Sequence, residues 1–181
     1  MHFAITTALV LAAAGTGLAA PTTSQPAEVP AGLEILQVIP QGEGEIVIYG
    51  DSATEGTTAN EELNPAVINK RCGSNQVECH TSNQADWTNC EGALLPYLYN
   101  NQGTMQTSPR SVCYTINRYP QCCASWSKDA PGARIGQFYN AALKTYNTCL
   151  SGSVVSGKSK DTNINGVCLT QCLSNRPDGC N

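Results

Sequence analysis

No cysteine occurs among the first 71 residues, and ten occur in the remaining 110. Charge is scarce as well: Asp, Glu, Lys and Arg make up 13% of the chain and leave a net −4. A balance that small gives no electrostatic footprint for a nucleic-acid partner. No apolar run reaches the roughly twenty residues that a dedicated membrane helix needs. No internal repeat of twenty residues or more is visible, so solenoid and propeller architectures are excluded. Only two histidines are present, and one of them, His2, lies in the leader. Acid–base chemistry of the two-histidine type is therefore excluded in the remainder. No Asn-x-Ser/Thr sequon occurs.

What is present sorts into three parts. Residues 3–14 are an apolar stretch of signal-peptide length followed by small residues, and cleavage after Ala19 or Ala20 is expected. Residues 20–71 read as a pro-segment. They end at Lys70-Arg71, the sole dibasic pair, which resembles a kexin-type processing site and directly precedes Cys72. Charge changes at the same boundary, from −6 over residues 1–71 to +2 over residues 72–181. Inside the pro-segment, 33–39 and 45–49 flank a Pro-Gln-Gly-Glu-Gly turn and predict a β-hairpin. Two strands alone are marginal. This hairpin can extend the sheet of the cysteine-rich part, or it can be a spacer with two apolar patches. Residues 51–69, rich in Thr, Asn, Glu and Ala, read as an exposed linker open to proteases.

Residues 72–181 carry Cys72, Cys79, Cys90, Cys113, Cys122, Cys123, Cys149, Cys168, Cys172 and Cys180 against only sixteen Leu, Ile, Val or Phe. With so little apolar bulk, cross-links must restrict the unfolded chain, each at about 2–5 kcal/mol. The even count predicts five bridges, with the connectivity left open.

Two segments have helical periodicity. From Ser82 as N-cap, Trp87, Cys90, Leu94 and Leu98 share one stripe, and Pro96 should kink or end that helix. From Ile135 to Leu150, Ile135, Phe138, Ala142, Tyr146 and Cys149 share another. Each helix thus offers one cysteine for a bridge to a sheet. Strands are expected around Val112–Ile116 and Cys122–Trp126, with adjacent Cys122 and Cys123 facing opposite ways. A last strand is expected near Ile164–Leu173, and a short one within Cys72–Cys79. The predicted fold is a small disulfide-rich α+β sandwich, with two helices on one side of a mostly antiparallel sheet.

The segments Ser108-Pro109-Arg110-Ser111-Val112-Cys113, Gln121-Cys122-Cys123-Ala124-Ser125-Trp126-Ser127 and the stretch from Asn165 to Pro177 with its Cys168-x3-Cys172 element resemble a group of small secreted cysteine-rich fungal proteins labelled WD-like. The resemblance spans residues 72–180 and carries over no catalytic residue. A looser likeness in layout is to fungal killer toxins and effectors that share an α/β sandwich: leader, pro-segment, dibasic site, then helices cross-linked to a small sheet. A single Cys-Cys pair does not fit a hydrophobin.

Residues 152–159 match G-x-x-x-x-G-K-[ST] literally, but a phosphate loop needs a strand before it and a helix after it, and here a helix precedes. The segment reads instead as a Gly/Ser loop presenting Lys158 and Lys160 to an anionic partner. No catalytic residue, cofactor, nucleotide or metal is assigned. His80 reads as a surface histidine, and thiols in an exported protein pair with each other. Glu78, Asp86, Glu91, Asp129, Asp161 and Asp178 could supply a glycosidase pair, but nothing marks which two. Tyr99, Tyr119 and Tyr139 lie off the helical stripes and are candidate contact residues for sugar or protein. The expectation is a secreted monomer, located outside the cell or in its wall, that binds an extracellular protein, glycan or membrane target. The rival readings are a protein that binds or acts on cell-wall polysaccharide, and a structural wall component.

Overall fold

The computed structural model describes residues 29–52, 72–104, 109–178 and 180. The expected signal peptide, residues 53–69 of the expected linker 51–69 and the Lys70-Arg71 site lie outside the described residues, and Asp51, placed in that linker, ends a strand instead.

Among the described residues, ten strands and two helical rods form two layers. Strands β1 (Leu33–Gln41), β2 (Gly44–Asp51), β3 (Gln76–Cys79), β5 (Pro109–Ile116), β6 (Tyr119–Trp126), β9 (Gly157–Ile164) and β10 (Val167–Ser174) make a seven-stranded sheet in the order β1-β2-β5-β6-β10-β9-β3. Every neighbouring pair in it is antiparallel. A small sheet of β4 (Ala85–Asp86), β8 (Val154–Val155) and β7 (Leu150–Ser151) lies beside it.

Alternation along the strands sorts side chains between two faces. Ile46, Ile48, Val112, Tyr114, Cys122, Ala124 and Trp126 point to the helices and join the main core. Val47, Tyr49, Cys113 and Cys123 form a smaller cluster on the opposite, open face. The predicted hairpin is therefore part of the sheet: β2 pairs with β5 from Glu45↔Thr115 to Gly50↔Pro109. The run Ile46-Val47-Ile48-Tyr49 is buried at every position because β2 has a strand on each side and packing on each face.

The first helical rod starts later than Ser82. Ala85 and Asp86 are taken into β4, and the Ser82 carbonyl accepts from the Ser156 hydroxyl at 2.7 Å. Asp86 is the cap instead, accepting from the backbone N–H of Thr88 (2.9 Å) and Asn89 (3.3 Å) and from the Thr88 hydroxyl. The rod is α-helical at Trp87–Asn89 (α1), π-helical at Cys90–Leu94 and α-helical again at Leu95–Asn100 (α2). Pro96 has no N–H to give to the preceding turn, and the chain meets it with a wider one: the Leu95 N–H bonds to the Cys90 carbonyl, five residues back. The second rod is a 3-10 turn at Ile135–Phe138 followed by α3 (Tyr139–Cys149). Its predicted stripe, Ile135, Phe138, Ala142, Tyr146 and Cys149, is buried throughout.

The end of the chain differs from the expected single strand. Asn165 (φ 51°) and Gly166 (φ 86°) turn the backbone between β9 and β10, so 157–174 is a hairpin of two eight-residue strands. Paired left-handed residues are what a two-residue turn of this hand requires, and Asn-Gly supplies them at least cost.

All ten cysteines pair: Cys72–Cys168, Cys79–Cys149, Cys90–Cys122, Cys113–Cys123 and Cys172–Cys180. Each rod is bolted to the sheet as anticipated, the first through Cys90–Cys122 and the second through Cys79–Cys149. Adjacent Cys122 and Cys123 go to opposite faces and different partners. The chain is a disulfide-rich α+β fold with helices on one side of an antiparallel sheet.

Candidate functional site

With both rods on one face, the other face of the sheet is covered only in part. On β10, Cys172 and Ser174 point to the open side, opposite Ser125 and Cys123 of β6. The Cys172–Cys180 bridge therefore draws the C-terminal residues back over that face as a strap. On one side of the strap lies a groove of about 880 Å³. The hairpin supplies its apolar floor through Ile35, Val38, Val47 and Tyr49, and the β5–β6 turn (Arg118, Tyr119) and the strap (Arg176, Pro177) wall it. Its size and apolar lining with a few polar groups match small-molecule and peptide sites.

The floor is apolar because Ile35 pairs with Tyr49 and Val38 with Val47, so four apolar side chains share one face of the hairpin. Val47 and Tyr49 are buried, whereas Ile35 and Val38 are each 47% exposed. Burial raises the Tyr49 phenol above its ordinary value, and the Glu45 carboxylate nearby adds to the shift. At the rim, Asn117 and Arg118 both have positive φ (51° and 66°). An arginine is uncommon in that conformation. The turn lifts Arg118 and the 67%-exposed Tyr119 over the groove.

Beyond the strap a smaller hollow of about 310 Å³ is lined by His80, Lys158, Lys160 and Arg176. Here the Gly/Ser-loop reading of residues 152–159 is corrected. The chain makes a tight hairpin through β7 and β8 and then enters β9, so Lys158 and Lys160 stand on a strand. Both pair with Glu78 on β3, Lys158 at 3.4 Å. The hydrogen bond from Lys160 is the main cause that holds the Glu78 carboxyl below its ordinary range. A strand follows Lys158 where a phosphate loop would need a helix N-terminus.

The candidate contact residues fall in three places. Tyr119 lies on the groove, and Lys158 and Lys160 line the neighbouring hollow on the same open face. Tyr99 and Tyr139 pack against each other on the helix side, with ring centroids 5.0 Å apart and planes 59° apart. Val47, Tyr49 and Arg118 escaped sequence reading as site residues. The unbroken apolar run 46–49 is the signal for Val47 and Tyr49, since a strand apolar at every position has two faces to bury.

Several of the acids already have structural partners. Glu78 holds two lysines and Asp86 caps a helix. Glu91 accepts the Tyr146 hydroxyl at 3.1 Å, and Asp178 pairs with Arg176. Among the described residues no group of three or more His, Cys, Asp or Glu is placed to hold a metal ion. No helix among them is long and apolar enough to cross a membrane.

No curated protein and no solved structure matches the chain. Residues 52–180, more than half of the sequence and all of its cysteines, match the family described as fungal WD-like, and the chain belongs to that family.

Proposed function

We propose that the chain is a secreted protein, cleaved after Arg71, that acts outside the producing cell by binding, as an effector-like or killer-toxin-like ligand. The observation that carries this reading is the groove: an apolar floor under an arginine and tyrosine rim, on the face that the helices leave open. Five bridges suit an agent that must survive extracellular proteases, and they are compatible with an oxidising export route. The acids that pair elsewhere lend no support to a carboxylate pair.

A second reading, a wall-polysaccharide binder, is favoured by the Tyr99–Tyr139 pair, because Tyr99 is 61% exposed and presents a ring to stacking ligands.

Two measurements test these readings. Intact-mass analysis of culture filtrate should show a species that begins at Cys72 and is lighter than its reduced form by the ten hydrogens of five bridges; a start at Ala20 or Pro21 defeats the cleavage. Oxidised protein that retains residues 29–52, and its Val38→Asp and Tyr99→Ala variants, are then applied to insoluble wall glucan and chitin, to plant tissue and to competing fungi. Binding or a tissue response lost with Val38→Asp supports the groove. Retention on polysaccharide lost with Tyr99→Ala supports the second reading. Wall association indifferent to both variants overturns them in favour of a structural component.

A further inference from the structure

The five disulfides all lie between Cys72 and Cys180, so none reaches the β1–β2 hairpin. Yet the hairpin is built into the sheet. Ile46 and Ile48 are 0% and 6% exposed within the main core, and Val47 and Tyr49 pack in one cluster with Cys113 and Cys123 on the other face. The fit to β5 is close at the hairpin's tip. A Cβ on Gly44 would meet the Thr115 carbonyl and stand 2.7 Å from the Tyr114 ring. At the far end, Asp51 pairs with Arg110 at 3.0 Å. Charge is complementary too. Residues 29–52 carry four acids and no Lys or Arg, while residues 72–181 carry a net +2. The family match begins at residue 52, just past the end of β2, so the hairpin stands outside the shared module whose sheet it completes.

We propose that the edge of β5 is an interface for the chain's own hairpin: when the backbone is cut between Ser52 and Cys72, the hairpin stays docked as a second, non-covalently held chain, and the protein works as that two-chain complex. The inference rests on the cleavage proposed above and decides what that cleavage does to the site. The groove draws Ile35, Val38, Val47 and Tyr49 from one piece and Arg118 and Tyr119 from the other. Losing the hairpin would remove the floor of the groove and bare the β5 edge with its ladder of unpaired backbone groups.

The full-length oxidised protein is treated with purified kexin-type protease and followed by mass spectrometry under denaturing and native conditions. The expected result is two masses when denatured, one complex when native, and an unchanged near-ultraviolet circular dichroism spectrum. A cut protein whose cysteine-rich piece runs alone with its native spectrum overturns the inference. If no cut occurs at Lys70-Arg71, it is the cleavage reading that fails. A chain carrying a foreign protease site inserted between residues 53 and 69 then supplies the nick and puts the docking to the same test. Gly44→Ala and Ile46→Ala, introduced into the uncut chain and then nicked, should release the hairpin about thirtyfold faster or more. If either variant does not fold, exchange of the wild-type hairpin against a labelled 29–52 peptide gives the same readout, and exchange complete within the dead time overturns the proposal.

Discussion

Arg110 joins Asp51 at the end of β2 to the end of β6: its Nη1 lies 3.0 Å from Asp51 Oδ2, while Nε and Nη2 donate to the carbonyls of Trp126 and Ser127, each at 3.2 Å. The carboxylate is half exposed, so the ion pair alone is worth little. The two carbonyl contacts hold the ends of β5 and β6 together. Arg110→Ala should therefore cost about 1–2 kcal/mol and Asp51→Asn about half a kcal/mol or less. Urea unfolding of the intact oxidised chain measures both, and equal losses would contradict this division.

The N-terminus of the first rod gives a sharper contrast. Asp86 accepts two backbone N–H groups and the Thr88 hydroxyl, the last being the main cause that lowers its carboxyl below the ordinary range. Asp86→Ala should cost about 1 kcal/mol. Ser82→Ala, at the position the sequence pattern favours as cap, should cost no more than about half of that, because Ser82 has no capping role. Thermal unfolding of the two variants decides between the caps.

Trp126 and Phe138 stack at 3.9 Å with their planes 20° apart, and both are essentially inaccessible. They join the second rod to β6, the middle strand of the sheet. Phe138→Ala should destabilise by about 3–5 kcal/mol and reduce the tryptophan near-ultraviolet signal, whereas Phe138→Leu should keep most of the stability.

At the other edge, β3 is a four-residue strand whose Glu78 is flanked by Lys158 and Lys160. Its folded carboxyl titrates below the ordinary value of 4.5, so the pairing contributes fully above that value and is lost as the pH falls through the folded one. Carboxyl-carbon NMR should show this depressed titration, and Lys160→Gln should move it back toward 4.5, since Lys160 supplies the largest share. A titration unmoved by that substitution would remove Lys160 as the cause.

The sequence carried the two-layer plan because its strongest signals are local. The Ile135–Cys149 stripe has unbroken 3.6-residue periodicity, and the Cys122-Cys123 doublet must split between two faces of a strand. Residues 150–164 were harder. They are polar, with Gly152, Gly157 and two lysines; residues 150–155 become β7 and β8 by pairing with each other and with β4, and 157–164 becomes β9 because β3 and β10 pair with it on either side. Asn165-Gly166 was the legible clue to that hairpin. The groove was beyond reach for another reason: its floor and its rim come from segments about seventy residues apart, and only the β2–β5 pairing brings them together.

Cys113 and Cys123 are both wholly inaccessible, packed in one cluster with Val47 and Tyr49. A small reductant cannot touch their sulfurs until the packing on that face opens, with β2 flanking them on one side and β10 on the other, whereas Cys72–Cys168, whose Cys72 is half-buried, is less enclosed. The sheltered pair is thus a chemical clock: the pace at which it yields to a thiol reports how often this face of the sheet opens.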